Sequence, residues 1–269
     1  MNKFVIIFGV VISFMVMKKK DVFAKPDKLL SYQSVYEITL DKQRDIKNTF
    51  GQPYIKDANG ELLIDWFDDC SAWVSNQRMY ISFINSSGIG TISDINYSLN
   101  ENYENLEMNF ALQVKENNIV VEQFRGSGKK KKNVTINLLS PTEKSMVFPK
   151  DTLFPHEHLK SLIAKLGKKT GIYSNKVYEG TIPNNYMNIS TFFNNNSIIE
   201  DLPTLPKEVI NKFWKIRMTY YKEDNQTPEM ELTANINKQG VVSFFKYDYP
   251  EYTIIARLKK LQISRNICK

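Results

Sequence analysis

The chain has 269 residues, 42% hydrophobic and 12% aromatic, enough to build a sizeable core. Its formal net charge of +7 arises from 36 basic and 29 acidic residues. No aromatic-and-basic pattern surrounds its one lysine cluster, and neither its two cysteines nor its two histidines stand at ligand spacing, so no nucleic-acid partner, metal or other cofactor is expected.

The N-terminus reads as an export signal. Lys3 precedes an uncharged apolar run from Phe4 to Met17. Fourteen residues fall short of the roughly 20 that a membrane span needs and suit the apolar region of a secretory signal. Val22-Phe23-Ala24 supplies small-residue specificity, so residues 1–24 are expected to be a signal peptide cleaved after Ala24, with the mature chain in a bacterial periplasm. Lys18, Lys19 and Lys20 keep an uncleaved anchor open as the alternative. Cleavage removes four lysines and one aspartate and lowers the net charge from +7 to about +4. No cysteine precedes Cys70, which excludes a lipid-modified N-terminal cysteine. Residues 25–269 contain no transmembrane segment and are expected to form a monomer.

Alternation then dominates the chain. Tyr32 to Leu40 reads as a strand with Tyr32, Ser34, Tyr36, Ile38 and Leu40 on one face. Asp57-Ala58-Asn59-Gly60 is a turn signal, followed by strands Glu61 to Phe67, Ala72 to Ile84 and Thr91 to Leu99. Leu106, Met108, Phe110, Leu112 and Val114 alternate with polar residues as a half-buried strand. Ile119 to Phe124 and Asn133 to Leu139 read as a hairpin whose tip holds Gly126-Ser127-Gly128 and the solvated run Lys129 to Lys132. Lys144 to Phe148 is a short strand.

The period changes at Pro155 to Leu166, the one principal helix. Pro155 suits a first turn, and Leu159, Leu162, Ile163 and Leu166 form an i, i+3, i+4, i+7 stripe that Gly167 stops. Strands resume at Lys176 to Thr181 and Met187 to Phe193. Asn194 to Pro206 reads as an irregular loop or internal boundary. Four strands close the chain: Trp214 to Lys222, Glu229 to Ile236, Val241 to Tyr247 and Tyr252 to Ile263. The fold class is all-β with one principal helix and about fourteen strands. So large a sheet must curl or close to protect its edges.

The cysteines are Cys70 and Cys268. An even number in an exported chain argues for pairing, and two allow a single intramolecular bond. A loop of about 200 residues would contribute roughly 5 kcal/mol in the chain-entropy model. Two free thiols are the alternative.

Five segments in order resemble one family. Tyr32-Gln33-Ser34-Val35-Tyr36-Glu37-Ile38-Thr39-Leu40 is similar to its opening strand, and Asp69-Cys70-Ser71-Ala72-Trp73 with Gln77-Arg78 to its cysteine-plus-aromatic segment. Phe154-Pro155-His156-Glu157-His158, continuing to Leu162-Ile163, resembles its Phe-Pro-x-x-His-x-x-x-Leu-Ile helix. Trp214 to Tyr221, then Asp248-Tyr249 and terminal Cys268, complete the pattern. The family is the EipB family of alphaproteobacterial periplasmic cell-envelope integrity proteins, formerly a domain of unknown function. Ala72 and Pro250 stand where the family tends to have glycine. The resemblance implies a spiral, incompletely closed β-barrel over residues 25–269 with one disulfide joining its terminal regions. It also implies a role in envelope homeostasis without established catalysis. Partners would be envelope proteins, lipids or cell-wall polymers; the alternative is a carrier or sensor of a lipid, glycolipid or lipoprotein in a curved-sheet groove.

The chemistry-bearing residues are sparse. His156 and His158, at i and i+2, make a poor zinc pair, and His158 is expected to make a structural hydrogen bond beneath the sheet. Asp65, Asp68 and Asp69 offer paired carboxylates for acid–base work, against the simpler reading of a strand end leaving water. Ser127 lacks the Gly-x-Ser-x-Gly of a nucleophile elbow, since Arg125 and Lys129 stand at the glycine positions. No catalytic residue is assigned; a hydrolase using the acidic cluster or His158 stays open. Trp66, Trp73, Trp214 and the tyrosines are core or groove lining.

Overall fold

The computed structural model describes residues 29–42, 54–200, 202, 205–223 and 225–264. Both the signal at 1–24 and Cys268 lie outside them. The first half of the chain forms β1 (Tyr32–Leu40), β2 (Ile55–Asp68), β3 (Ala72–Asn85), β4 (Gly90–Asn102), β5 (Glu107–Glu116), β6 (Ile119–Lys130), β7 (Val134–Ser140) and β8 (Lys144–Phe148). After β9 (Thr152–Leu153) comes the helix α1 (Pro155–Ile163). The second half forms β10 (Gly171–Val177), β11 (Met187–Ile199), β12 (Lys212–Lys222), β13 (Met230–Asn237), β14 (Val242–Asp248) and β15 (Thr253–Ile263).

All fifteen strands belong to one sheet. Its order is β8 to β1 in reverse, then β15 down to β9. The first and last strands are therefore neighbours in its middle. β1 and β15 pair antiparallel from Tyr32 opposite Ile263 to Leu40 opposite Ile254. Every pairing is antiparallel except β9 with β10. Alternation decides which face is inside. Tyr32, Ser34, Tyr36 and Ile38 are buried, while Gln33 and Glu37 point outward. The Tyr32 and Tyr36 hydroxyls cross the interior to donate to the carbonyls of Gly240 and Val242, at 3.1 and 2.8 Å.

The barrel closes incompletely. Its edge strands β8 and β9 are consecutive in the chain yet do not pair with each other. Side chains seal the seam instead. Phe148, at the end of β8, packs at 5.4 Å between ring centroids on both Tyr178 and Tyr186, from the loop after β10. Tyr178 also meets Phe110 of β5 edge-on at 5.4 Å. Helix α1 covers this seam and buries His156, His158 and Leu162.

Five expectations change, the first being the strand read at Lys176 to Thr181, which lies earlier as β10 and gives way to a loop at Tyr178. Strand β2 runs straight through Asp57 to Gly60, because Gly60 answers a steric demand rather than a turn. A Cβ there would lie 2.0 Å from the Tyr80 carbonyl oxygen on β3. Likewise Gly126-Ser127-Gly128 sits inside β6, where Cβ atoms on the glycines would strike Asn137 O and Phe110 at 2.6 Å and Met108 at 2.8 Å. The tip of that hairpin shrinks to Lys131–Asn133. The asparagines at 194–196 do not end β11. They form an irregularity between Phe193 and Ser197, after which pairing with β12 resumes. Finally α1 ends at Ile163 rather than Leu166, and a tightened turn leads to Gly167 at φ +72°.

Gly60→Ala is expected to cost about 3 kcal/mol, since backbone rather than a movable side chain receives the new methyl group. Gly88→Ala, at φ +79° with nothing within 4 Å, is expected to cost only about 1 kcal/mol. Urea unfolding of the two variants measures the difference.

Candidate functional site

The N-terminus of α1 is held from a distant strand. Its first residue, Pro155, has no N–H, and the residue before it, Phe154, has no side-chain acceptor. The orphaned N–H groups of His156 and Glu157 donate instead to Glu101 of β4, at 2.6 and 3.1 Å. Glu157 completes the arrangement by accepting from the Phe154 N–H at 3.4 Å and pairing with Lys130 of β6. Glu101 is fully buried. Burial pushes its pKa up to about 7, against the pull of the two backbone donors.

His156 and His158 are both buried, so neither faces solvent despite the i, i+2 spacing. The His156 ring lies nearly parallel to Trp73 at 5.2 Å and to Trp66 at 5.7 Å. Burial, with Lys160 adding to it, lowers its pKa to about 3, and burial alone lowers His158 to about 4. The hydrogen bond expected of His158 does not appear at Nε2, which has no partner among the described residues. The two imidazoles are packed into the interior, His156 as part of an aromatic stack with Trp66 and Trp73. Among the described residues no three His, Cys, Asp or Glu side chains gather as a metal site.

The acidic residues separate. Asp68 and Asp69 build the turn that presents Cys70. Asp68 accepts the Cys70 N–H at 2.9 Å and also the Tyr103 hydroxyl. Asp69 accepts the N–H groups of Ser71 and Ala72 at 2.9 and 2.6 Å. Burial raises the Asp69 pKa, but the donors from Ser71 and Ala72 outweigh it and hold the group below its ordinary value. Cys70 is exposed at φ 76°. Asp65 instead faces the outer surface of the sheet.

Two concavities flank β2–β5. The inner one, about 290 Å³, lies inside the barrel beside α1. Leu62, Met79, Leu112 and Leu159 supply apolar walls, Trp66, Tyr97 and Tyr249 supply rings, and Glu179 supplies a carboxylate. Glu179 arrives from the loop after β10, whose main chain is fixed by the Tyr97 hydroxyl donating to the Glu179 carbonyl. Burial pushes the Glu179 carboxyl up to about 7.

The outer concavity is larger, about 880 Å³, and its polar side chains are set among apolar surface. It lies on the face opposite Tyr32 and Tyr36, where eight strands from β15 to β7 curve outward. One cross-strand row runs Gln262, Gln33, Asp65, Asn76 and Ser98, and reaches Arg125 and Ser140 on β6 and β7. The next row runs Lys260, Val35, Leu63, Arg78 and Asn96 to the pair Gln113 and Gln123, which bond to each other at 3.2 Å. Arg78 is engaged by Asp94 at 2.9 and 3.0 Å. Arg125 and Lys260 have no ion-pair partner among the described residues. Sequence reasoning missed this trough, although its signal was present as glutamines and asparagines at alternate positions of several strands.

The remaining candidates are structural. Ser127 is a strand residue between two tightly packed glycines. Of the lysine run, Lys129 pairs with Glu107, and the half-buried Lys130 pairs with Glu157 and lies 4.6 Å from the Phe154 ring centroid. Trp214 packs in the core against Gly167.

A family model described as EipB-like matches residues 24–265. The cell envelope integrity protein EipB of Brucella abortus (strain 2308) is 19% identical over 245 residues, spanning 88% of this chain and 85% of that protein. A crystal structure of a beta-barrel-like protein of a domain of unknown function, also from Brucella abortus, matches with a TM-score of 0.80 at 17% identity. That likeness is one of fold, and it spans 88% of this chain and 99% of the other.

Two outcomes test the helix site. Glu101→Ala should lose about 3 kcal/mol by stranding two buried N–H groups, and Glu101→Gln, which keeps one acceptor, should lose less. Because the pKa of His156 is lowered on folding, the unfolded chain takes up the proton first, and stability is lost as pH falls below about 6.5. The stability of His156→Phe relative to the parent should therefore rise as pH falls from 6.5 to 4, as read by urea unfolding at each pH.

Proposed function

This chain belongs to the EipB-like family, and on that footing we propose that it supports the integrity of a bacterial cell envelope from the periplasm, by binding rather than by catalysis. The name of its Brucella relative supports the envelope role. The start of the family match at residue 24 agrees with a signal removed after Ala24. The binding reading is carried by one observation, the outer trough. Six amide side chains, the hydroxyls of Ser98 and Ser140 and the cations Arg125 and Lys260 line one continuous concavity. That set matches an extended envelope polymer bearing hydroxyl, amide and carboxylate groups. Catalysis finds less support, since Asp68 and Asp69 are engaged in a turn and His158 is buried.

Residues 25–269 act as one unit closed by a Cys70–Cys268 disulfide in this proposal. Its support is the placement of the last described residues. The Ser264 N–H donates to the Ser31 carbonyl at 2.8 Å, and the Ser31 hydroxyl accepts from the Asp68 N–H at 3.1 Å. The end of β15 thus lies beside the turn that carries Cys70. Cys268 follows four residues later, within a reach of about 13 Å.

A second reading, a carrier or sensor of an amphiphile, is favoured by the inner cavity with its rings and apolar walls.

Arg125→Ala combined with Lys260→Ala should reduce retention of the protein on purified cell-wall polymer about tenfold while leaving the unfolding midpoint unchanged; an unretained parent protein would defeat the trough reading. Non-reducing gels and alkylation of periplasmic protein should show no free thiol, and Cys70→Ser should cost up to about 5 kcal/mol.

A further inference from the structure

We propose that the inner cavity is a binding site for an organic ammonium group, held by the Glu179 carboxylate among the rings of Trp66, Tyr97 and Tyr249. The inference begins from a charge imbalance. Among the described residues no lysine, arginine or histidine forms an ion pair with Glu179, and no donor bonds its carboxylate. The half-buried carboxyl loses part of its hydration, which raises its pKa to about 7, so a bound cation would stabilise its charged form. The hydroxyls nearest in charge belong to Tyr97 of β4, Tyr220 of β12 and Tyr247 of β14. Burial raises the pKa of all three, so they add no further negative charge, and a phenol supplies no positive charge in any state.

The walls specify the class of ligand. Aromatic rings attract cations through their electron-rich faces. A carboxylate among rings therefore suits an alkylated or primary ammonium better than a purely apolar molecule, which would leave Glu179 without a partner. A divalent metal is a poor fit, since a hard cation needs several oxygen ligands and the remaining walls are largely apolar. The volume of about 290 Å³ admits a small amine or one headgroup, not a whole two-chain lipid. The polar residues Ser75, Gln77 and Thr181 at the same cavity can serve a hydroxyl or phosphate attached to the amine. The site depends on the inner cavity alone, so its failure would leave the role of the outer trough untouched.

The test compares choline with 3,3-dimethylbutan-1-ol, its uncharged isostere, by calorimetry and by the fluorescence of the folded protein. Choline should bind at least about tenfold more tightly than the isostere. Glu179→Gln should remove that preference while leaving the isostere's affinity unchanged, which also reports that the cavity is intact. Micelles of phosphocholine detergent against those of a maltoside, and free ethanolamine against free choline, separate a lipid headgroup from a soluble amine. Equal affinity for choline and its isostere, no binding of any amine probe, or an unaltered choline preference in Glu179→Gln would each overturn the assignment. Should Glu179→Gln fail to fold, the comparison of the two ligands on the parent protein decides it.

Discussion

The pairing of β1 with β15 is the constraint on which the rest of the molecule depends. It places the beginning and the end of the chain side by side in the centre of the sheet. Everything between them must then travel outward on one side and return on the other. The two free edges, β8 and β9, consequently follow one another in the chain, with only Pro149 to Asp151 between them. They are too short to seal by backbone pairing, so rings from Phe148, Tyr178 and Tyr186 and the helix α1 close the gap. The same pairing brings Ser264 against Ser31 and so directs the C-terminal residues toward Cys70.

The helix is the second consequence of that closure. A nine-residue helix is too short to be stable alone in water. It persists because both halves of the sheet grip it. Glu101 from the outgoing half supplies the cap that the helix's own sequence lacks, and Trp66 and Trp73 stack near His156. Leu162 and Leu166 reach the core of the returning half. The barrel is therefore stitched at its seam by one carboxylate and a group of rings rather than by a continuous ladder.

Function follows from the two curvatures of one sheet. Where the strands wrap inward they enclose a small aromatic space with one carboxylate. Where the long strands β2 to β4 twist and coil, their outer face becomes a trough lined by amides and two cations among apolar surface. The outer face carries the cations Arg125 and Lys260, unpaired among the described residues, and the inner cavity carries the Glu179 carboxyl.

The amino-acid pattern by itself determined nearly all the strands, the helix start and the buried faces. Alternation of period two is a local property, so Tyr32 to Leu40 or Thr253 to Ile263 could be placed without knowing any neighbour. It also determined that the chain is all-β and related in pattern to one family. It misread the glycines, because Gly60, Gly126 and Gly128 exist for close approach of other strands, and such contacts have no signature in the chain's own neighbourhood. It paired Asp65 with Asp68 and Asp69, although strand alternation sends Asp65 outward while the others fold a turn. Glu101 and Glu179 drew no notice, since each is an ordinary residue in sequence. Only the tertiary structure decided that one caps a helix about 55 residues away and that the other stands alone in a cavity, because burial and partnership are set by which distant strands become neighbours.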